Sequence, residues 1–371
     1  AMYASNLETN LEQLSEHLRK DTYQPQAIRR VYIPKPGSTE KRPLGIPTVR
    51  DRVVQAALRQ VLEPIFEREF AEHSYGFRPG RGCKDALRRV DALLKTGYGY
   101  VVDVDLKSYF DTIPHSELMK RVRTRIADGR VLRLIESFLT QGVMEEMETW
   151  TPTAGSPQGA VISPLLSNIY LDPLDHEMAE RGYEMVRYAD DFVILCRSNE
   201  EAQTALQHVQ TWTAQAGLTL HPTKTRIVDL NDPGGFDFLG YHFQRDRRNP
   251  QRILRWPRDK SQRKLKDTLR AKTPRLNGRS LLMIVAQLNR TLHGWFAYFQ
   301  HTNVTTVFPN IDGWLRRRLR RILVKRHSGG RHNGKGRAQQ RWPNEYFAKL
   351  GLFNLTTAHA LAHQPAKAVN H

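Results

Sequence analysis

Two aspartates stand side by side, Asp190 and Asp191, in a stretch that is otherwise apolar and strand-like. Val186 lies ahead of them and Phe192-Val193-Ile194-Leu195 behind. Neither carboxylate can be solvated inside an apolar strand, so such a doublet belongs in a turn between two strands, where it can meet a divalent cation. A second acidic run, Val101-Val102-Asp103-Val104-Asp105-Leu106, also reads as a buried strand. Alternation puts Asp103 and Asp105 on one face, and periodicity alone does not choose between them. Carboxylates gathered from two strands suit two-metal phosphoryl transfer, in which paired Mg²⁺ ions sit about 4 Å apart.

The elements that must position these acids are mixed. Leu7, Leu11, Leu14 and Leu18 predict a helix over Ser5 to Lys20. Ile28 to Pro34 and Arg42 to Pro47 read as a basic hairpin closed by Pro36-Gly37-Ser38-Thr39. Helices are expected from Val49 to about Phe70, Lys84 to Leu94, His115 to Thr140, Pro164 to Arg181 and Asn199 to Ala216. Thr149-Trp150-Thr151-Pro152 reads as a turn. Strands are expected over Tyr98–Leu106 and Met185–Leu195, with shorter ones in Leu218–Val228 and Phe236–Phe243. Strands and helices without a regular βαβ repeat predict an α+β class for residues 1 to 245. Residues 244–260 are basic and proline-punctuated, which predicts a hinge. Helices are then expected near 261–272, 278–300 and 310–326, a loose tail from Ser328 to Gln340, and a last helix near Pro343–Leu350.

With these blocks in order, the chain resembles a group II intron-type reverse transcriptase and maturase. Ile33-Pro34-Lys35-Pro36-Gly37 with Arg42-Pro43-Leu44-Gly45-Ile46-Pro47 is similar to that family's fingers hairpin, and Gly76-Phe77-Arg78-Pro79-Gly80 to its next block. Asp105-Leu106-Lys107-Ser108-Tyr109-Phe110-Asp111 resembles palm motif A, which selects Asp105 over Asp103. Ser156-Pro157-Gln158-Gly159 with Ser163-Pro164-Leu165-Leu166 resembles motif B, and Tyr188-Ala189-Asp190-Asp191 motif C. Pro222-Thr223-Lys224-Thr225 resembles motif D, and Phe238-Leu239-Gly240 the primer grip.

The resemblance implies a right-hand polymerase. Residues 1–100 would be mainly fingers, with palm contributions, 101–245 palm, and 246–371 a basic helical thumb and maturase region with a tail. It implies Asp105, Leu106, Asp190 and Asp191 as the site of two Mg²⁺ ions, with Mn²⁺ a possible substitute, and Lys224 as the acid that protonates the leaving pyrophosphate. Arg29, Lys35 and Arg42 would neutralise the dNTP triphosphate. Phe110 would exclude a 2′-hydroxyl, and Gln158 and Gly159 would line the floor beneath the incoming base pair. Tyr188, Phe238, Leu239, Gly240, Arg316, Arg317 and Arg320 would meet primer and template. Implied partners are an RNA template, a DNA or RNA primer, their RNA–DNA hybrid, dNTPs and a group II intron RNA. The alternatives are a non-catalytic RNA-binding maturase and a CRISPR- or defence-associated reverse transcriptase of the same chemistry. A viral RNA-dependent RNA polymerase is disfavoured by Phe110 and by Ala189.

Composition agrees. Of 57 Lys/Arg and 38 Asp/Glu, residues 241–350 hold 27 and 5, leaving the remainder close to balance at 30 and 33. So uneven a distribution points to a polyanion, and the basic stretch is no single amphipathic helix of the membrane-surface kind. No uncharged apolar run approaches the ~18 residues of a membrane span, and a bacterial-type cytoplasmic location is expected. Two cysteines, Cys83 and Cys196, exclude a disulfide framework and a four-cysteine zinc site. His359 and His363, spaced i, i+4, lack an acidic or cysteine partner for a metal. The chain starts too late for the template-lidding N-terminal block such enzymes carry, and a zinc-bearing HNH nuclease is not expected.

Overall fold

The computed structural model describes residues 4–34, 41–145, 148–275, 278–328 and 335–364. Mixed α+β structure divides the chain into two compact units, Ala1–Leu239 and Gly240–His371.

In the first unit, α1 (Leu7–Arg19) leads into a hairpin of β1 (Ile28–Pro34) and β2 (Lys41–Ile46), then α2 (Val49–Glu67) and α3 (Cys83–Lys95). After β3 (Tyr100–Asp105) come α4 (Tyr109–Thr112), α5 (His115–Arg123), α6 (Gly129–Leu139), β4 (Val143–Glu145) and β5 (Glu148–Trp150). The unit closes with α7 (Ser163–Glu180), β6 (Glu184–Tyr188), β7 (Asp191–Cys196), α8 (Asn199–Gln215), β8 (Arg226–Asp229) and β9 (Phe236–Phe238). Two four-stranded sheets result. One runs β2-β1-β4-β5, with β1 and β4 parallel and the other pairs antiparallel; the other, β6-β7-β3-β8, is antiparallel throughout.

Helix α7 is the hub of this unit. Its buried residues, including Leu166, Asn168, Tyr170, Leu171, Asp175 and Met178, lie around most of its circumference, as expected of a helix packed on several sides. It shares one core with Val102 and Val104 of β3, Phe192 and Ile194 of β7, and Leu58 and Leu62 of α2. Thr48 caps α2 through Asp51 N–H (3.2 Å), and Ser198 caps α8 through Glu201 N–H (3.2 Å).

The second unit pairs β10 (Tyr241–Arg245) with β11 (Ile253–Pro257) and continues through α9 (Asp259–Lys272), α10 (Leu281–Phe299) and α11 (Val307–Ser328). Three short helices follow: α12 (Lys335–Arg341), α13 (Asn344–Lys349) and α14 (Leu355–Ala362). Its core takes Leu265 and Leu269, Ile284, Leu288 and Leu292, and the stripe Ile311, Leu315, Leu319 and Ile322 of α11. The buried Asp312 accepts from Leu355 N–H (3.1 Å), Thr356 N–H (3.0 Å) and Thr356 Oγ1 (2.6 Å), fastening the start of α14 to α11.

Three expectations are corrected. Residues 244–260 are not an irregular hinge: β11 pairs with β10 in full register, and Asn303 closes its outer edge by accepting from Arg255 N–H and donating to Ile253 O, each at 2.7 Å. The stretch read as a loose tail includes α12, whose neighbour Trp342 is buried and ties the segment down. The stretch His115–Thr140 is largely helical, as expected, in two helices, α5 and α6, with Asp128 capping α6 through Arg130 and Val131 N–H. Thr149 and Trp150, read as a turn, form an edge strand on β4.

Candidate active site

The register of the second sheet brings the acids together. Asp105 is the last residue of β3 and stands directly across from Asp191, the first of β7. On its other side Asp191 pairs with Tyr188, so Ala189 and Asp190 form a two-residue turn between β6 and β7. A one-residue slip would turn one carboxylate to the opposite face. Burial pushes the Asp190 carboxyl above the usual range and the charge of Asp105 adds to this, while its own N–H, Arg42 and Arg187 draw it back. The Lys224 ammonium lies 2.6 Å from Asp105 Oδ2. His221 N–H donates to Asp105 O (2.7 Å) and Lys107 N–H to Thr219 O (2.8 Å), so the segment carrying Lys224 is stitched along the end of β3. The Leu106 side chain is buried, which leaves only its carbonyl to serve a cation.

Among the described residues no three His, Cys, Asp or Glu side chains are drawn together at metal-ligand distances. The donor set nonetheless suits a hard divalent cation: the donors are oxygens, and Asp190 feels the like charge of Asp105, which a cation would relieve.

Beneath the turn, the guanidinium of Arg187 is fully buried. Its Nε donates to Asp175 Oδ1 (2.7 Å) and Oδ2 (3.0 Å), and its Nη2 also donates to Asp175. Its Nη1 donates to Asn168 Oδ1 (3.0 Å) and to the carbonyl of Ala189 itself (2.9 Å). Burial opposes the Arg187 charge, but Asp175 outweighs it and holds the guanidinium pKa up. Asn168 and Asp175, two turns apart on one face of α7, thereby anchor the catalytic-type turn. Asn168 also donates to Gly76 O (2.7 Å), and Gly76 packs so closely that a Cβ there would lie 2.2 Å from Ala189 N. Sequence reading passes over this network. Its signal is a charge inside two apolar periodic patterns, Arg187 in β6 and Asp175 in α7.

The hairpin of the first sheet meets the loop of residues 155–160 backbone to backbone. Gly45 N–H donates to Gln158 O (2.7 Å), and a Cβ on Gly159 (φ +104°) would lie 2.7 Å from Gly45 O. Ser156 N–H donates to Phe110 O (2.6 Å), and the half-buried Phe110 ring stacks edge-on against Tyr109, 5.4 Å away. Tyr109 in turn donates to Ser167 O of α7 (2.8 Å). Arg42 and Arg29 are exposed on the hairpin, with Arg42 within electrostatic reach of Asp190. Lys35 lies outside the described residues. Arg30, not singled out by the sequence, stacks over Trp150 at 5.0 Å and partly offsets the burial of Asp111.

Tyr188 is half-buried, and burial with a hydrogen bond to Cys83 pushes its hydroxyl up to about 12. Phe238 is buried, Leu239 has φ +46°, and Gly240 has φ +84°. In the second unit, Arg317 is exposed and Arg316 partly so. Arg320 corrects the expectation that it meets primer and template. It is buried, donating from Nε to Trp342 O (2.8 Å) and from Nη2 to Asn344 Oδ1 (2.9 Å), and so serves internal packing. His359 likewise contacts Thr302 O (2.7 Å) and packs on Phe308.

Two outcomes follow from this geometry. Asp175→Asn strands the buried Arg187 charge and should cost about 3–5 kcal/mol in urea unfolding, whereas the paired change Asp175→Leu with Arg187→Met should recover most of it. The second concerns Asp103, whose carboxyl burial pushes up to about 6 from the ordinary 3.8, against the pull of Arg226. The folded state therefore holds this proton more tightly than the unfolded chain, and stability falls as pH rises from 3.8 through about 6. Asp103→Asn should thus raise the melting temperature at pH 7.5, raise it less at pH 5, and leave it nearly unchanged near pH 3, below both pKa values.

Comparison with known proteins agrees with this geometry. Residues 33–243 match the family described as reverse transcriptase (RNA-dependent DNA polymerase), and residues 262–342 match the group II intron maturase-specific domain. The protein YkfC of Escherichia coli (strain K12) is 36% identical over 285 residues, covering 66% of this chain and 74% of its own length. The group II intron-encoded protein LtrA of Lactococcus lactis subsp. cremoris is 40% identical over 168 residues, 45% of this chain and 28% of its own. A telomerase structure from Candida albicans, in complex with a fragment of telomeric RNA, superposes with a TM-score of 0.53 at 12% identity. It covers 98% of this chain and 68% of that one, which establishes a shared right-hand fold. Reverse transcriptases generally use divalent metal ions. By the match over 33–243 and the likeness to YkfC, this chain belongs to the reverse transcriptase family, of the group II intron type with a maturase-specific domain.

Proposed function

We propose that this chain extends a DNA or RNA primer with dNTPs on an RNA template, and that Asp105, Asp190, Asp191 and the Leu106 carbonyl hold two divalent ions, Mg²⁺ or in its stead Mn²⁺. The observation that carries this reading is the register that sets Asp105 opposite Asp191 and leaves Asp190 in the connecting turn. Such ions, when bound, acidify the primer 3′-hydroxyl and neutralise charge on the triphosphate. The 3′-hydroxyl gives up its proton to solvent, and its oxygen forms a bond to the α-phosphorus as the bond from that phosphorus to the α,β-bridging oxygen breaks. Lys224, 2.6 Å from Asp105, protonates the departing pyrophosphate.

Arg29, Lys35 and Arg42 bind the triphosphate from the fingers, with Arg42 supported by its electrostatic reach to Asp190. Gln158 and Gly159 seat the incoming base pair, where a side chain at 159 would collide with Gly45. Phe110 excludes a 2′-hydroxyl. Its backbone is held by Ser156, so the ring has a fixed origin. Phe238, Leu239 and Gly240 guide the primer strand. The basic residues of α9 and α11 that reach the surface, among them the partly exposed Arg316 and the exposed Arg317, follow the phosphates of the hybrid by charge rather than sequence.

A second role is favoured by one observation, the maturase-specific match over 262–342: binding of a group II intron RNA as a splicing cofactor. The same basic helices serve both roles.

Primer extension on a poly(rA)/oligo(dT) hybrid with Mg²⁺ and dTTP tests the reading. The parent chain should extend, and Asp190→Asn should reduce extension at least about 10³-fold while leaving hybrid affinity within about twofold, since binding rests on other residues. No extension by the parent, with RNA still bound, would leave the splicing role standing alone. Phe110→Val should admit ribonucleotides, read as a fall in the dNTP:NTP ratio of kcat/KM. An unchanged ratio would remove Phe110 from the sugar gate.

A further inference from the structure

Phe77 combines two features that rarely occur together. Its backbone is left-handed, φ +59°, a conformation that is costly for a bulky side chain, and its ring is 44% exposed. Its neighbours leave the backbone no alternative. Gly76 is pressed against Ala189 N and held by Asn168. Arg78 is plugged inward, with its Nε on Glu67 (3.0 and 3.1 Å) and its Nη1 on the carbonyls of Ala71 (2.6 Å) and Ser74 (2.8 Å). Between two such anchors, glycine or asparagine would adopt this backbone at little cost. Core packing does not account for an exposed phenylalanine, and strain kept without a packing return points to a function.

The ring's position indicates which function. It lies 6.3 Å from the ring of Tyr188, two residues before Asp190, so the two aromatics form a continuous step beside the carboxylate turn.

We propose that Phe77, with Tyr188, forms an aromatic step that supports the primer strand of the RNA–DNA hybrid just behind its 3′ end. This rests on the polymerase reading above. Any primer whose 3′-hydroxyl reaches Asp190 must bring its preceding nucleotides past the flank of the turn. An apolar ring there meets sugar and base faces common to all nucleotides, so the contact is independent of sequence. Phe77 is a substrate-contacting residue and takes no part in proton or metal chemistry.

Phe77→Asn separates this role from a structural one, because asparagine tolerates the left-handed backbone. Its melting temperature should equal or exceed that of the parent. Its Kd for a fluorescent RNA–DNA primer–template and its primer–template KM should each rise about tenfold, the scale of losing one aromatic contact to a nucleotide. KM for dTTP should stay unchanged, and Phe77→Tyr should restore parental binding. A lower melting temperature with binding and both KM values worsened together would make Phe77 a packing residue and overturn the proposal. Unchanged hybrid Kd would overturn it equally. The Kd arm needs no synthesis, so a parent chain that binds but does not extend would count against the polymerase reading while this arm still decides the role of Phe77.

Discussion

A fully buried guanidinium under the carboxylate turn is the constraint on which the rest of the first unit depends. An arginine without exposure is tolerated only when its donors are satisfied, and Arg187 reaches both oxygens of Asp175, the amide of Asn168 and the carbonyl of Ala189. Replacing such a pair by apolar groups is often neutral, so its retention is not explained by stability alone. It does what apolar packing cannot: it fixes the direction of a carbonyl in the turn, and so the orientation of Asp190 next to it. The cation also lies where two carboxylates gather and draws the raised Asp190 pKa downward.

The other catalytic-type blocks are joined by backbone contact more than by side chains. Gly76 meets Ala189, Gly45 meets Pro157 and Gln158, Gly155 meets Phe110 and Asp111, and Gly159 meets Gly45. At Gly76, Gly155 and Gly159 a Cβ would stand within 3 Å of another backbone atom, so the fit admits no side chain, and at Gly45 it would crowd the Ile28 side chain (2.8 Å) and the Pro157 ring (3.2 Å). Segments far apart in the chain are thereby held at fixed spacing. Strain collects at the same places: of the five non-glycine residues with positive φ among those described, Phe77, Ser108, Ala189 and Leu239 belong to these blocks.

In the second unit, charge alone does not say what an arginine does. Along α11, Arg317 and Arg321 face outward, whereas Arg318 donates to Thr273 and Arg320 to Trp342 and Asn344. A run of arginines on one helix is thus part exposed basic surface and part internal brace. The difference lies in which carbonyls the turn of the helix brings within reach.

Much of this was legible in the sequence. The aspartate doublet, the mixed α+β class and the basic last third follow from local patterns, and the order of the blocks from family resemblance. Alternation marks buried strands, and a doublet of acids inside one is too costly to be incidental. Even so, alternation could not separate Asp103 from Asp105; that choice came from family resemblance, and the strand register then set Asp105, not Asp103, across from Asp191. Only the tertiary structure decided the partners of Arg187 and Asp175, the left-handed backbone of Phe77, the hairpin of β11 and the burial of Arg320. These depend on contacts between residues that local periodicity does not pair, such as Asn168 and the carbonyl of Gly76, 92 positions apart. Periodicity records which face of an element avoids water, but not which element covers it, and a charged residue is read as exposed until its buried partner is known.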